Sequence, residues 1–179
     1  MLKNNYSITW LPIGRESKLF GLSHCPGKNF NPRMRLNTLE KDGEFIKSNG
    51  VKVIVSLLTD QEIKNLGIKN FDSIWTQLDI EHIKFPIRDL SSPNKSQLSD
   101  FDGLIKTIVS YVHQYKPVLI HCNAGLGRSG LVAAVVCKEL KIPNVIDFVR
   151  SYRKGTIETE EQEIFINNWK LMTGFSQGL

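Results

Sequence analysis

The apolar positions of this chain follow two alternating rhythms. Short apolar runs bounded by turn formers predict buried strands over 7–11, 18–22, 51–58, 81–86 and 118–120. Between them, apolar residues recur at three- and four-residue spacing. The clearest case is 96–114, where Leu98, Phe101, Leu104, Ile105, Ile108, Val109 and Val112 form one helical face. The same spacing predicts helices over 38–48 (Leu39, Phe45 and Ile46 inward), 70–78, 143–153 (Val145, Ile146 and Val149 inward) and 160–172 (carrying Ile164, Phe165 and Trp169). Asn49-Gly50 supplies a helix stop. Thr59-Asp60-Gln61-Glu62 fits a capping box opening a short helix. Leu131 to Cys137 is apolar all round and reads as a buried helix. Strands alternate with helices, so the pattern predicts an α/β protein: a central, mostly parallel sheet flanked by helices.

Composition narrows this picture. The 179 residues fit one domain spanning 1–179, with flexible ends at 1–6 and 174–179. No apolar run approaches the roughly 20 residues of a membrane span, and no signal-peptide pattern opens the chain. Three cysteines make no disulfide framework, which points to a reducing compartment and a cytoplasmic protein. The formal charge of +5 favours acidic partners. No basic block with interleaved aromatics is present, so nucleic acid is not an expected partner. A monomer is expected.

Candidate chemistry concentrates in Pro117 to Leu131, PVLIHCNAGLGRSGL. A buried strand runs into a glycine-rich loop, and a helix follows. Cys122 stands at the base of the loop and Arg128 six positions later, where the helix begins. A thiol of pKa about 8.5 falls to roughly 3.5–7.5 at a helix N-terminus beside cationic groups. Gly125, Gly127 and Gly130 let the backbone turn its amides inward as an anion nest. Arg128 offers a planar fork for two phosphoryl oxygens. Ser129 can donate to the Cys122 thiolate and stabilise the sulfur when it leaves. His121 is expected to orient the loop by hydrogen bonding, with its ring turned away from phosphate.

The string HCNAGLGRSG, residues 121–130, resembles the His-Cys-x5-Arg-Ser/Thr signature of cysteine-dependent protein tyrosine and dual-specificity phosphatases. The resemblance extends from about Leu19 to Trp169. It is closest to the kinase-associated phosphatase subgroup, also called cyclin-dependent kinase inhibitor 3, through Gly21-Leu22, Pro26-Gly27-Lys28, Phe85-Pro86-Ile87-Arg88-Asp89, Gly155-Thr156-Ile157-Glu158-Thr159 and Gln162. The Cdc-fourteen-type enzymes are the rival subgroup.

The resemblance implies the cysteine-phosphatase fold and a phosphocysteine intermediate on Cys122. It implies that Asn123, Ala124, Gly125, Leu126, Gly127 and Arg128 hold the phosphate. Asp89 would be the general acid and later the base, with Asp100 and Asp102 as competitors in the first turns of the long helix. Gln162 would position water in the second step, or would be a solvated helix residue. Cofactors are not implied, and full activity in EDTA is expected.

Lysines inside the loop mark many phosphoinositide-directed relatives. The variable positions here are Asn123, Ala124 and Leu126, which favours a phosphoprotein substrate, and the subgroup suggests a protein kinase. A phosphoinositide phosphatase and a non-catalytic phospho- or kinase-binding module remain the alternatives. The short chain lacks additions that would deepen the pocket, which favours dual specificity.

Other residues have plainer readings. His24-Cys25 repeats the His-Cys pair without close-spaced metal partners, so no metal site is expected. Cys25 or Cys137 could protect an oxidised Cys122 as a disulfide, although Cys137 reads as core. Glu160 and Glu161 read as first-turn dipole partners. Arg33 and Arg35 would be a solvated face, or would line a substrate surface; Arg150, Arg153 and Lys154 would be a solvated helix face, or would add positive potential near the pocket.

Overall fold

The computed structural model describes residues 6–13, 17–29 and 39–173, with side chains through residue 169. The strands are β1 (Thr9–Leu11), β2 (Phe20–Ser23), β3 (Val53–Ser56), β4 (Glu81–Lys84) and β5 (Val118–His121). The helices are α1 (Leu39–Ser48), α2 (Asp60–Asn65), α3 (Phe71–Gln77), α4 (Leu98–His113, led by a 3-10 turn), α5 (Gly127–Glu139), α6 (Val145–Tyr152) and α7 (Glu160–Thr173). The predicted alternation holds, with β1, β3 and β4 two to four residues shorter than expected and β2 and β5 within a residue of the expected length. Arg33 and Arg35, and the roles considered for them, lie outside the described residues.

The sheet order is β1-β2-β5-β3-β4. β1 is antiparallel to β2, and the other pairs are parallel. Alternating side chains of the inner strands feed two cores, because successive residues of a strand face opposite ways. Val53, Val55, Val118 and Ile120 pack with α4, α5 and α7, where Phe101 meets Trp169 edge-on at 5.1 Å. Ile54 and Leu119 pack on the other face with Ile46, Trp75 and Leu78 of the α1–α3 layer. α5 lies in the middle of the first core and is buried from Gly127 to Cys137. That explains why its sequence has no polar face.

Two details correct the pattern reading. Ile164 of α7 faces solvent, and the neighbouring Ile166 is buried with Phe165 and Trp169. Tyr6, expected in a flexible end, is buried and donates its hydroxyl to Ser23 Oγ at 2.6 Å. The parallel strands β2, β3 and β5 end in register at Ser23, Ser56 and His121. The next residues leave the sheet together, so Cys122 emerges at the carboxyl edge, where open α/β sheets place their ligands.

Candidate active site

The loop from Cys122 to Leu126 joins β5 to α5 and wraps around its own sulfur. The Gly125 N–H donates to Cys122 Sγ over 3.2 Å. Gly125 has φ +73°, and a Cβ there would strike the Ser23 carbonyl. Glycine is therefore required both for the backbone conformation and for the close approach of β2. Gly130 lets α5 pack directly on Thr156 and the Ile157 backbone.

His121 is fully buried, and its Nε2 lies 2.6 Å from Ser56 Oγ. Ser56 Oγ also meets His82 Nε2 at 2.8 Å. His121 Nδ1 lies 3.4 Å from the Cys122 carbonyl. Desolvation drives the His121 pKa down to about 3, so the ring is neutral and acts as a strut under the loop. This is the orienting position expected from the sequence.

Arg128, in the first turn of α5, is 1% exposed. Its Nη1 donates to Glu62 Oε1 at 2.9 Å and to the Ile87 carbonyl at 3.0 Å. Its Nη2 stands 2.9 Å from Asp89 Oδ1, a close ion pair without hydrogen-bond alignment. Nε and Nη2 thus have no hydrogen-bond partner among the described residues. A buried guanidinium with two unused donors is costly unless an oxyanion takes them.

Glu62 is fixed by the Thr59 capping box that opens α2. Desolvation pushes its pKa up, but donation from the Thr59 backbone and from Arg128 outweighs this and holds it below the usual carboxylate range. The sequence showed the cap. It did not show that the glutamate of the box also neutralises Arg128 across the sheet edge.

Asp89 follows β4 on the loop that comes alongside Arg128, and its side chain is 62% exposed. Asp102 is instead paired with Lys106 on α4 at 2.6 Å. Asp100 is exposed on the same helix. Of the three carboxylates considered, only Asp89 is brought to Arg128.

Ser129 departs from expectation. Its hydroxyl is buried, but it makes no hydrogen bond among the described residues, and the sulfur accepts from Gly125 N–H instead. Gln162 is not a solvated helix residue. It is fully buried, accepts from the Glu158 N–H at 2.9 Å and donates to the Ser91 carbonyl at 3.3 Å. It therefore ties the loop carrying Asp89 to the turn before α7.

The arginines of α6 are not a solvated face either. Arg153 donates to the carbonyls of Gly125 (2.7 Å) and Ala124 (3.1 Å) and to Thr9 Oγ1 (2.9 Å). Arg150 donates to the carbonyls of Thr156 and Ile157 and to Glu163. Periodicity could not single these out, because Arg153 is the C-terminal cap residue of α6 and belongs to no apolar face.

Burial raises the Cys25 thiol above its ordinary value and pushes Cys137 up to about 12. Burial thus keeps both thiols protonated rather than as the thiolate. Among the described residues, no group of three or more His, Cys, Asp or Glu side chains is placed to hold a metal ion. Glu161 accepts from the backbone N–H and the hydroxyl of Ser92, so it reaches the acid loop rather than only the helix dipole.

Comparison with known proteins places this geometry. Residues 3–152 match the family model for cyclin-dependent kinase inhibitor 3. The chain belongs to the cyclin-dependent kinase inhibitor 3 family. The human protein of that name is 29% identical over 170 residues, covering 91% of this chain and 78% of the human one. The rat protein is 28% identical with the same coverage. Kinase associated phosphatase, solved with its catalytic-site cysteine substituted by serine, superposes with a TM-score of 0.85 and 27% identity over 99% of both chains.

Its relatives are cysteine-dependent phosphatases of the protein tyrosine and dual-specificity type, and the chain has the fold expected from the sequence. Their chemistry also fits the unused donors of Arg128 with a phosphoryl group. No described helix is long and apolar enough to cross a membrane.

Proposed function

We propose that Cys122 of this chain is an active nucleophile that removes phosphate from tyrosine, serine or threonine of a protein, a protein kinase being the favoured partner. One observation carries the reading. Arg128 has two buried donors without a hydrogen-bond partner, and Asp89 stands 2.9 Å from it at the pocket rim. The first wants an oxyanion, and the second supplies a carboxyl group beside it.

In the first step Cys122 Sγ forms a bond to phosphorus and the ester P–O bond breaks. The departing oxygen takes a proton from Asp89. In the second step water attacks the phosphocysteine, gives its proton to Asp89, and the S–P bond breaks to release phosphate and the thiolate. Arg128 and the inward amides of residues 123–127 hold the equatorial oxygens throughout. Gln162 fixes the acid loop and stands beside Gly127, where a water for the second step would pass. Ser129, buried without a hydrogen-bond partner, is available to the leaving sulfur after its hydroxyl rotates.

None of these steps needs a metal. A cytoplasmic, single-domain, monomeric enzyme remains the simplest form consistent with the sequence.

The loop positions Asn123, Ala124 and Leu126 bring no cation to an inositol ring, which favours protein over lipid. The test is a side-by-side rate comparison on phosphotyrosine peptides, phosphothreonine peptides and phosphoinositide micelles, with EDTA present. Turnover of the peptides at least about tenfold above the lipids is expected. Preference for the lipids would overturn the substrate reading. Phosphopeptide binding without turnover of any substrate would favour a binding module.

A further inference from the structure

Arg153 lies outside the phosphatase signature, yet it is attached to the back of the phosphate loop. Its Nη2 donates to the Ala124 carbonyl and its Nε to the Gly125 carbonyl. The next carbonyl, Leu126, accepts the helical Gly130 N–H at 2.8 Å and, more weakly, the Ile157 N–H at 3.4 Å. Two consecutive loop carbonyls are thus drawn outward by Arg153. A trans peptide is planar, with its C=O and N–H pointing in opposite directions. Holding the Ala124 oxygen outward therefore turns the Gly125 N–H inward, and that N–H is the one on Cys122 Sγ. The Gly125 oxygen likewise sets the N–H of Leu126.

The turn at 153–157 is itself held. Arg150 bonds the Thr156 and Ile157 carbonyls, and Thr156 Oγ1 donates to the Arg153 carbonyl at 2.9 Å. Gly130 allows the turn to lie flat on α5. The third Arg153 donor is anchored to Thr9 on β1, the edge strand.

We propose that Arg153 is a positioning residue for the phosphate loop: its fork on the Ala124 and Gly125 carbonyls aims the amides of the nest at the Cys122 sulfur and the bound oxyanion. Its partly buried charge adds to the effect. Desolvation lowers the Arg153 pKa, while a Cys122 thiolate raises it, so the two groups attract. Arg128 grips phosphate directly, whereas Arg153 works from the far side of the peptide planes. This rests on the phosphatase reading, but two of its readouts need no turnover.

The experiment compares Arg153→Gln, Arg153→Lys and Thr9→Val with the unaltered chain. The readouts are the pH profile of Cys122 alkylation by iodoacetamide, affinity for tungstate as a tetrahedral oxyanion, and kcat/KM on an aryl phosphate. Circular dichroism and melting report folding.

Arg153→Gln is expected to slow alkylation at pH 6 by about threefold or more, with the rate restored at high pH where the thiol ionises unaided. It should weaken tungstate binding and lower kcat/KM by about tenfold or more. Arg153→Lys keeps the charge, can serve only one carbonyl at a time, and should fall between. It also carries the test if the glutamine variant does not fold. Thr9→Val, which removes only the anchor to β1, should stay within about twofold of the unaltered chain. A folded Arg153→Gln, or in its place a folded Arg153→Lys, with an unchanged alkylation profile and unchanged tungstate affinity would overturn the proposal. If the unaltered chain binds tungstate but hydrolyses no phosphoester, the phosphatase reading fails, while the loop readouts still decide the role of Arg153.

Discussion

Single residues carry the chemistry, and they differ in how far the sequence revealed them. Cys122 and Arg128 were legible from spacing, because a strand, a glycine loop and a helix start leave little choice about where six intervening positions go. Asp89 was legible only through the family resemblance, which puts the acid on a loop after a strand, and the structure adds the 2.9 Å approach to Arg128. Glu62 was not legible as a site residue, and Arg153 was considered only as surface or as a source of positive potential near the pocket. Each acts across a gap in sequence that no local pattern spans, Glu62 on Arg128 and Arg153 on Ala124. Asp89→Ala tests the acid assignment by its dependence on leaving group. Loss should be about a hundredfold or more on a phosphothreonine peptide, whose alkoxide needs a proton, and far smaller on an activated aryl phosphate. Equal loss on both substrates would count against Asp89 as the acid.

Among the elements, α2 shows how a local signal serves the site. Its capping box was readable from Thr59 and Glu62 alone, since both side-chain and backbone donors of a first turn must be satisfied. The same Glu62 carboxylate faces Arg128, so the cap also holds the side chain proposed to bind phosphate. Thr59→Ala should cost about 1 kcal/mol in chemical denaturation and should also weaken oxyanion binding. A stability loss with unchanged tungstate affinity would mean that the cap and the site are independent. Helices α4 and α5 were legible for a different reason: one has a clear apolar stripe, the other is apolar all round because the sheet and three helices enclose it. The turn at 153–157 was not legible in this sense. Its role depends on which backbone oxygens it faces, and side-chain periodicity says nothing about that.

At the scale of the whole molecule, alternation of strands and helices was enough for the fold class. It did not give the strand order, because that order depends on which crossovers bring β5 between β2 and β3. That central position puts Ser23, Ser56 and His121 in one row and buries the histidine. Acid sensitivity follows. Desolvation lowers the pKa of His121 to about 3 and, chiefly by the same cause, that of His24 to about 4. The unfolded chain takes up these protons near pH 6.5, and the folded chain refuses them. Stability is therefore full above about pH 6.5 and falls as the pH drops toward about 4, by up to about 2 kcal/mol per histidine at pH 5. Urea midpoints at pH 7.5 and pH 5 check this, and an equal or higher midpoint at pH 5 would refute it.

The central claim, that this fold presents Cys122 as the nucleophile of a phosphoprotein phosphatase, is tested most directly by Cys122→Ser. Aryl-phosphate turnover and phosphopeptide binding should be measured on the same preparation. The variant should lose turnover to background and still bind phosphopeptide within a few-fold of the unaltered chain, because the nest and Arg128 remain in place. Turnover by Cys122→Ser at the rate of the unaltered chain would contradict the account.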